Sequence, residues 1–178
     1  VIYFLYELAK VTGKPAKNKL IAAFIFIVFS VIFWAFFEQS GGSLSLFAEK
    51  NLDFNLLGMT IDPNVVNNTS NAFFVIIFSP LLGLLWIWMA GRRIEPNTVV
   101  KFGLGFLFLA AAFYVFYATR FFADEKGITS LNVFTLAYLI ITFGELCLSP
   151  IGLSIITKLS PKKMGGMMMG MWFLASAY

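Results

Sequence analysis

The chain has 178 residues, of which 60% are hydrophobic, 18% aromatic and only 12% charged. An average soluble domain is about 45–50% apolar and about 25% charged, so this chain has too little polar surface to cover a water-soluble globule. Thirteen Lys and Arg against nine Asp and Glu give a net charge of +4, with one Cys and no His. That set excludes an internal disulfide and a His/Cys metal site, and no phosphate-binding glycine loop or serine–histidine nucleophile pair is present. No cofactor, no nucleic-acid partner and no enzyme chemistry are expected.

The first nineteen residues read as an apolar scrap, Val1 to Ala9, and a basic linker, Lys10 to Lys19, with Gly13 and Pro15 marking a loop. Five apolar stretches follow and form one helical bundle over 20–178. A bilayer core about 30 Å thick needs about 20 residues at 1.5 Å each. The expected spans are 20–47, 71–90, 99–119, 131–157 and 164–178. The segment Glu49 to Ser70, carrying Asp53, Asp62, Pro63 and Asn64, is expected outside the bilayer. The last stretch holds 15 residues, too few to cross, and reads as a span cut off at Tyr178.

Alternating spans place ten cations on one side: Lys10, Lys14, Lys17, Lys19, Arg92, Arg93, Lys101, Lys158, Lys162 and Lys163. Lys50, Arg120 and Lys126 fall on the other side. Lys and Arg are retained in the cytoplasm, so the Leu20 end is expected to be cytoplasmic. Glu49, Asp53, Asp62, Asp124 and Glu125 then face outward.

Function is sought where the apolar pattern breaks. An ionised side chain at mid-membrane costs at least about 2.5–3.5 kcal/mol. Glu145 sits near the centre of 131–157, flanked by Phe143, Leu146 and Leu148. It is either a functional carboxylate or one kept neutral or paired to fix helix packing. Glu38 has two readings as well. It closes the apolar run from Leu20 and marks the span's external end, or Ser43 to Phe47 extend the helix and leave it within an apolar envelope. Trp34, four residues earlier, shares its helical face in the second case. A Trp beside a carboxylate suits an organic cation, whereas an interfacial or packing Trp is the commoner fate.

Pro150 removes a backbone donor and frees the carbonyl of Leu146, so a kink is expected beside Glu145, with Ser149 on the same face. Pro80 with Ser79 is expected to break the second span in the same way. Bent helices with exposed backbone are a recurrent transporter device, and proline is also common in spans without any site. Gly166 and Gly170 form a small-xxx-small pattern read as close helix packing. The methionines around them are alternatively a yielding surface for variable ligands.

Two runs carry a resemblance. Phe33-Trp34-Ala35-Phe36-Phe37-Glu38-Gln39-Ser40-Gly41-Gly42-Ser43, then Leu46-Phe47-Ala48, resembles the seventh transmembrane helix of the proton-dependent oligopeptide transporter family, within the major facilitator superfamily. Gly144-Glu145-Leu146-Cys147-Leu148-Ser149-Pro150-Ile151-Gly152-Leu153-Ser154, followed by Thr157-Lys158-Leu159 and Gly170-Met171-Trp172-Phe173-Leu174, resembles its tenth and eleventh helices. The resemblance implies an all-α membrane protein of the major facilitator fold, with this chain covering helices seven to eleven of twelve, in the C-terminal half. It implies proton-coupled symport of di- and tripeptides by alternating access in the inner membrane, together with an N-terminal six-helix bundle. The short segment Phe122 to Ser130 has no room for the external domain of animal members, which points to a bacterial-type protein. Val1 to Ala9 match the end of an extra helix between the two halves.

Residue by residue, the resemblance sets Glu145 against the peptide's α-ammonium, helped by Asn71 on helix eight. Family members usually have Gln-Ser-x-Asn-Pro there, where this chain has Asn68-Thr69-Ser70-Asn71-Ala72. Glu38 matches an acid that pairs with an arginine of the N-terminal half in gating and proton coupling, which Glu145 shares. Trp34, Ser149, Trp172 and Phe173 match pocket-lining positions. Other readings are a same-fold transporter of nitrate or a drug-like solute, against which the acid at Glu145 counts for anions, and a noncatalytic membrane scaffold.

Overall fold

The computed structural model describes residues 6, 10, 11, 13–161 and 164–177. The expected inter-bundle helix end at 1–9, apart from Tyr6, lies outside the described residues, as do Lys162, Lys163 and Tyr178. Helix α1 is Lys14–Phe37, followed by a 3-10 turn Glu38–Gly41 and helix α2, Ser43–Asn51. A hairpin of β1 (Asn55–Leu56) and β2 (Met59–Thr60) leads to α3, Pro63–Gly91. Helices α4 (Thr98–Ala118), α5 (Leu131–Leu159) and α6 (Gly165–Ala175) follow. Among the described residues, four helical stretches are long and apolar enough to cross a membrane: Lys14–Asn51, Pro63–Gly91, Thr98–Phe122 and Leu131–Leu159.

Three expectations need correction. The stretch 20–47 is not one helix, because α-helical geometry ends at Phe37 and resumes at Ser43. Glu38 opens the intervening turn and is exposed, so the apolar envelope expected around it does not form among the described residues. The helix that holds the second expected span starts eight residues before Asn71, at Pro63. Asp62 accepts a hydrogen bond from the Asn64 amide at 2.7 Å, and Pro63 takes the first turn, where its missing N–H costs nothing. That cap turns the polar run 63–70 into the first two turns of α3. Helix α3 runs on through Pro80 and α5 through Pro150. The interruption in this chain is proline-free.

The chain divides into two compact units, Val1–Ala35 with Pro150–Tyr178, and Phe36–Ser149. In the first, Leu20, Ala23, Phe33, Ile156 and Met168 are buried. Gly152 of α5 meets Trp172 of α6 so closely that a Cβ there would lie 1.8 Å from the indole. The glycine is what admits the ring.

In the second unit, α4 and α5 approach through Gly105 and Gly144, where a Cβ on Gly144 would lie 2.9 Å from the Gly105 carbonyl oxygen. Phe116 of α4 and Phe134 and Tyr138 of α5 also cluster, with ring centroids 5.2–5.7 Å apart. The hairpin turns through Leu57 and Gly58 at φ +50° and +87°, the left-handed pair that a two-residue turn requires. It is fastened to the start of α5. Asp53 accepts from the Leu131 amide at 2.9 Å, capping that helix, and Asn132 accepts from the Leu57 amide at 2.9 Å. By contrast Gly166 and Gly170 are exposed with no atom within 4 Å of an added Cβ, so the close packing expected on them is not formed among the described residues.

Candidate functional site

Helices α3 and α5 of the second unit bring two predicted residues together. Asn71 Nδ2 donates to Glu145 Oε2 at 2.8 Å and to Thr142 Oγ1 at 3.2 Å. The Thr142 hydroxyl donates in turn to the Tyr138 carbonyl one turn back, at 2.7 Å. One amide group therefore spends both hydrogens on α5, which fixes the rotamer of Asn71 and holds one carboxylate oxygen. Among the described residues the other oxygen, Oε1, has no hydrogen bond. Thr142 is fully enclosed while Glu145 and Asn71 are half-buried, so the carboxylate keeps one open side.

A second rung lies one turn along the same two helices. Tyr138 donates its hydroxyl to Asn67 Oδ1 at 2.5 Å, and Asn67 Nδ2 donates to the Ser40 carbonyl at 3.0 Å. Asn67 and Tyr138 are 2% and 3% exposed. Neither they nor Thr142 were among the sequence candidates. The signal was present: Asn67 precedes Asn71 by four residues, and Tyr138 and Thr142 precede Glu145 by seven and three, which places each on the face of its functional neighbour.

Glu38 lies on the turn that Ser40 shares. Ser149, one turn beyond Glu145, has its hydroxyl enclosed with no hydrogen-bond partner among the described residues. In the first unit, Trp34 is half-buried and meets Phe33 edge to face at 5.7 Å. Trp172 is 4% exposed against Gly152, while the neighbouring Phe173 is exposed.

Long apolar helices with a hydrogen-bonded carboxylate inside one of them define a multi-pass helical membrane protein. The POT family model matches residues 1–178, and the chain belongs to that family. The peptide transporter YePEPT of Yersinia enterocolitica is 38% identical over 180 residues, covering 99% of this chain and 35% of that protein. Dipeptide and tripeptide permease B of Aeromonas hydrophila is 34% identical, with 99% and 35% covered. A crystal structure of a peptide transporter POT in complex with sulfate superposes with a TM-score of 0.87 at 32% identity, over 99% of this chain and 35% of that one. A POT family transporter in complex with 5-aminolevulinic acid gives 0.84 at 26% identity, over 99% and 36%. The chain thus spans about a third of the length of the relatives it matches.

Proposed function

We propose that this chain supplies helices seven to eleven of a proton-coupled symporter of di- and tripeptides, set in the inner membrane with the Leu20 end cytoplasmic. An N-terminal six-helix bundle completes the central cavity, and the two halves alternate access to it. The observation that carries this reading is the Asn71–Glu145 bond at 2.8 Å, which presents a carboxylate with one occupied and one open oxygen inside a span. A peptide's α-ammonium has three donors and one positive charge, so it suits the open oxygen. Both 5-aminolevulinic acid and a dipeptide carry an ammonium at one end and a carboxylate at the other, which is consistent with a shared acid for the cationic end.

In this reading Glu38, exposed on its turn, pairs with an arginine of the other bundle and gives it up for a proton as the external side opens. Glu145 exchanges between proton and substrate ammonium. Ser149 offers its enclosed hydroxyl to the substrate or the facing bundle, while Trp34 and Phe173 line the pocket. Trp172 serves the pocket by holding α6 against α5 at Gly152. Each proton moved inward gains about 2.3 kcal/mol per 100 mV, enough for roughly fifty-fold accumulation of a neutral solute.

The test is uptake of a labelled dipeptide by the full-length protein in proteoliposomes, with and without an inward proton gradient, for wild type and Glu145→Gln. Accumulation that collapses with a protonophore and in the variant is expected. Wild-type peptide affinity and proton-driven uptake in Glu145→Gln would remove the carboxylate from the mechanism. No gradient-dependent uptake by well-folded wild type would keep the fold and drop the peptide.

A further inference from the structure

The upper rung has a feature that neither helix packing nor ligand contact explains by itself. The turn Glu38–Gly41 leaves α-helical geometry, so its carbonyls lose the donors a continuing helix would supply. Asn67, from α3, replaces one of them by donating to the Ser40 carbonyl at 3.0 Å. The same amide group is then clamped from α5, because its oxygen accepts from the Tyr138 hydroxyl at 2.5 Å. Three elements meet at one buried point, and each polar group there depends on the next. A polar cavity of about 140 Å3 is lined in part by Ser40, Asn67, Asn71 and Tyr138.

The spacing along α3 and α5 makes the two rungs parallel. Asn67 and Asn71 are one turn apart, as are Tyr138 and Thr142, so a rotation of either helix moves both rungs together. Through Ser40 that rotation reaches the turn that carries Glu38. A Phe at Tyr138 would keep the aromatic packing against Phe116 and Phe134 and remove only the hydroxyl that holds Asn67 in place.

We propose that Asn67 and Tyr138 are positioning residues for transport: their hydrogen bond ties the Glu38–Gly41 turn to the helix pair carrying Asn71 and Glu145, coupling the motion of the turn to the state of the carboxylate. They need touch neither substrate nor proton. The inference rests on the transport reading above for its functional consequence, but the tie itself is testable without any substrate.

The experiment uses the full-length protein with Tyr138→Phe and Asn67→Ser. Hydrogen exchange followed by mass spectrometry reads the amides of Glu38 to Ser43. Dipeptide binding and proton-driven uptake are measured on the same preparations. For both variants, exchange in the turn is expected to rise about tenfold, the scale of one lost hydrogen bond, with proton-driven uptake falling about tenfold and dipeptide affinity staying within about twofold. Unchanged exchange in the turn overturns the tie, whatever uptake does. Faster exchange with uptake within about twofold of wild type overturns the coupling, as does a parallel fall of binding, uptake and melting temperature, which marks a merely structural pair. A wild type that takes up no dipeptide sinks the peptide reading, and the exchange result still decides the tie.

Discussion

Asn71 on α3 holds Glu145 on α5 at 2.8 Å with the same amide group that reaches Thr142 at 3.2 Å. The bond orients the carboxylate and occupies one of its oxygens. Asn71→Ala should therefore leave Glu145 in place but free to rotate, raising the half-saturation for dipeptide by about tenfold, the worth of one charge-assisted hydrogen bond. Asn71→Asp should be worse than Asn71→Ala. It sets a second carboxylate where a donor stood, and two ionised acceptors at this distance repel. Uptake kinetics on the two variants check the order. Asn71→Asp performing better than Asn71→Ala would mean that Asn71 does not act on Glu145 as a donor.

Gly152 and Gly144 differ in what their missing Cβ protects. At Gly152 the obstacle is the rigid Trp172 ring at 1.8 Å, whereas at Gly144 it is the Gly105 carbonyl at 2.9 Å and the Phe108 Cβ at 3.3 Å. Gly152→Ala should lower the melting temperature in detergent by displacing the indole, a loss of about 1–3 kcal/mol. Combining it with Trp172→Leu, which vacates that space, should recover part of the loss. Gly144→Ala has no such remedy, since a backbone must shift. Failure of the Gly152→Ala, Trp172→Leu pair to improve on Gly152→Ala would show that the two residues are not each other's constraint.

The spans were legible because a bilayer leaves a chain few choices: backbone groups must bond within the segment, so apolar runs of sufficient length become helices. Glu145 was legible for the same reason, as an ion among Phe143, Leu146 and Leu148. Asn71 was not readable from its neighbours and entered through the family resemblance. Pro80 and Pro150 stay inside continuous helices, while Pro63, in the polar segment 49–70 that carried no expected helix, begins one under an Asp62 cap. Small residues were less legible, since close packing needs a facing helix and no stripe announces its partner. Among the described residues Gly166 and Gly170 carry the pattern without the contact, and Gly105, Gly144 and Gly152 have the contact. Asn67 and Tyr138 were missed because a lone polar residue near a span end resembles an interfacial one until its partner, 71 residues away, is known.

Lys101 was counted among the cytoplasmic cations, yet its side chain is largely enclosed. It pairs with Glu95 and lies over the Trp86 ring at 4.4 Å. The two partners are unequally exposed, at 10% for the Lys101 side chain and 38% for that of Glu95. Removing the more exposed partner should cost more. Glu95→Gln leaves an enclosed ammonium with only the indole face, a loss of about 1–3 kcal/mol. Lys101→Met keeps the aliphatic packing and lets Glu95 rehydrate, costing under about 1 kcal/mol. Thermal melts of both variants read the difference. The reverse order would mean that the ring alone accommodates the charge.

The split of ten cations against three gives the expected orientation of the chain, and that orientation decides which side Glu38 serves in the proposed mechanism. Lys126 and Lys158 flank α5 at opposite ends and are both exposed. Cys147 is 1% exposed, so it can stay in place as a silent background. With Lys126→Cys and Lys158→Cys in the full-length protein, an impermeant maleimide should label the first on intact spheroplasts and the second only after permeabilisation. Labelling in the opposite order would invert the chain and place the Glu38–Gly41 turn toward the cytoplasm. External gating by Glu38 would then fall, while the Asn71–Glu145 site would stand. Labelling of both from outside would show that α5 does not cross, and would remove the transporter reading at its base.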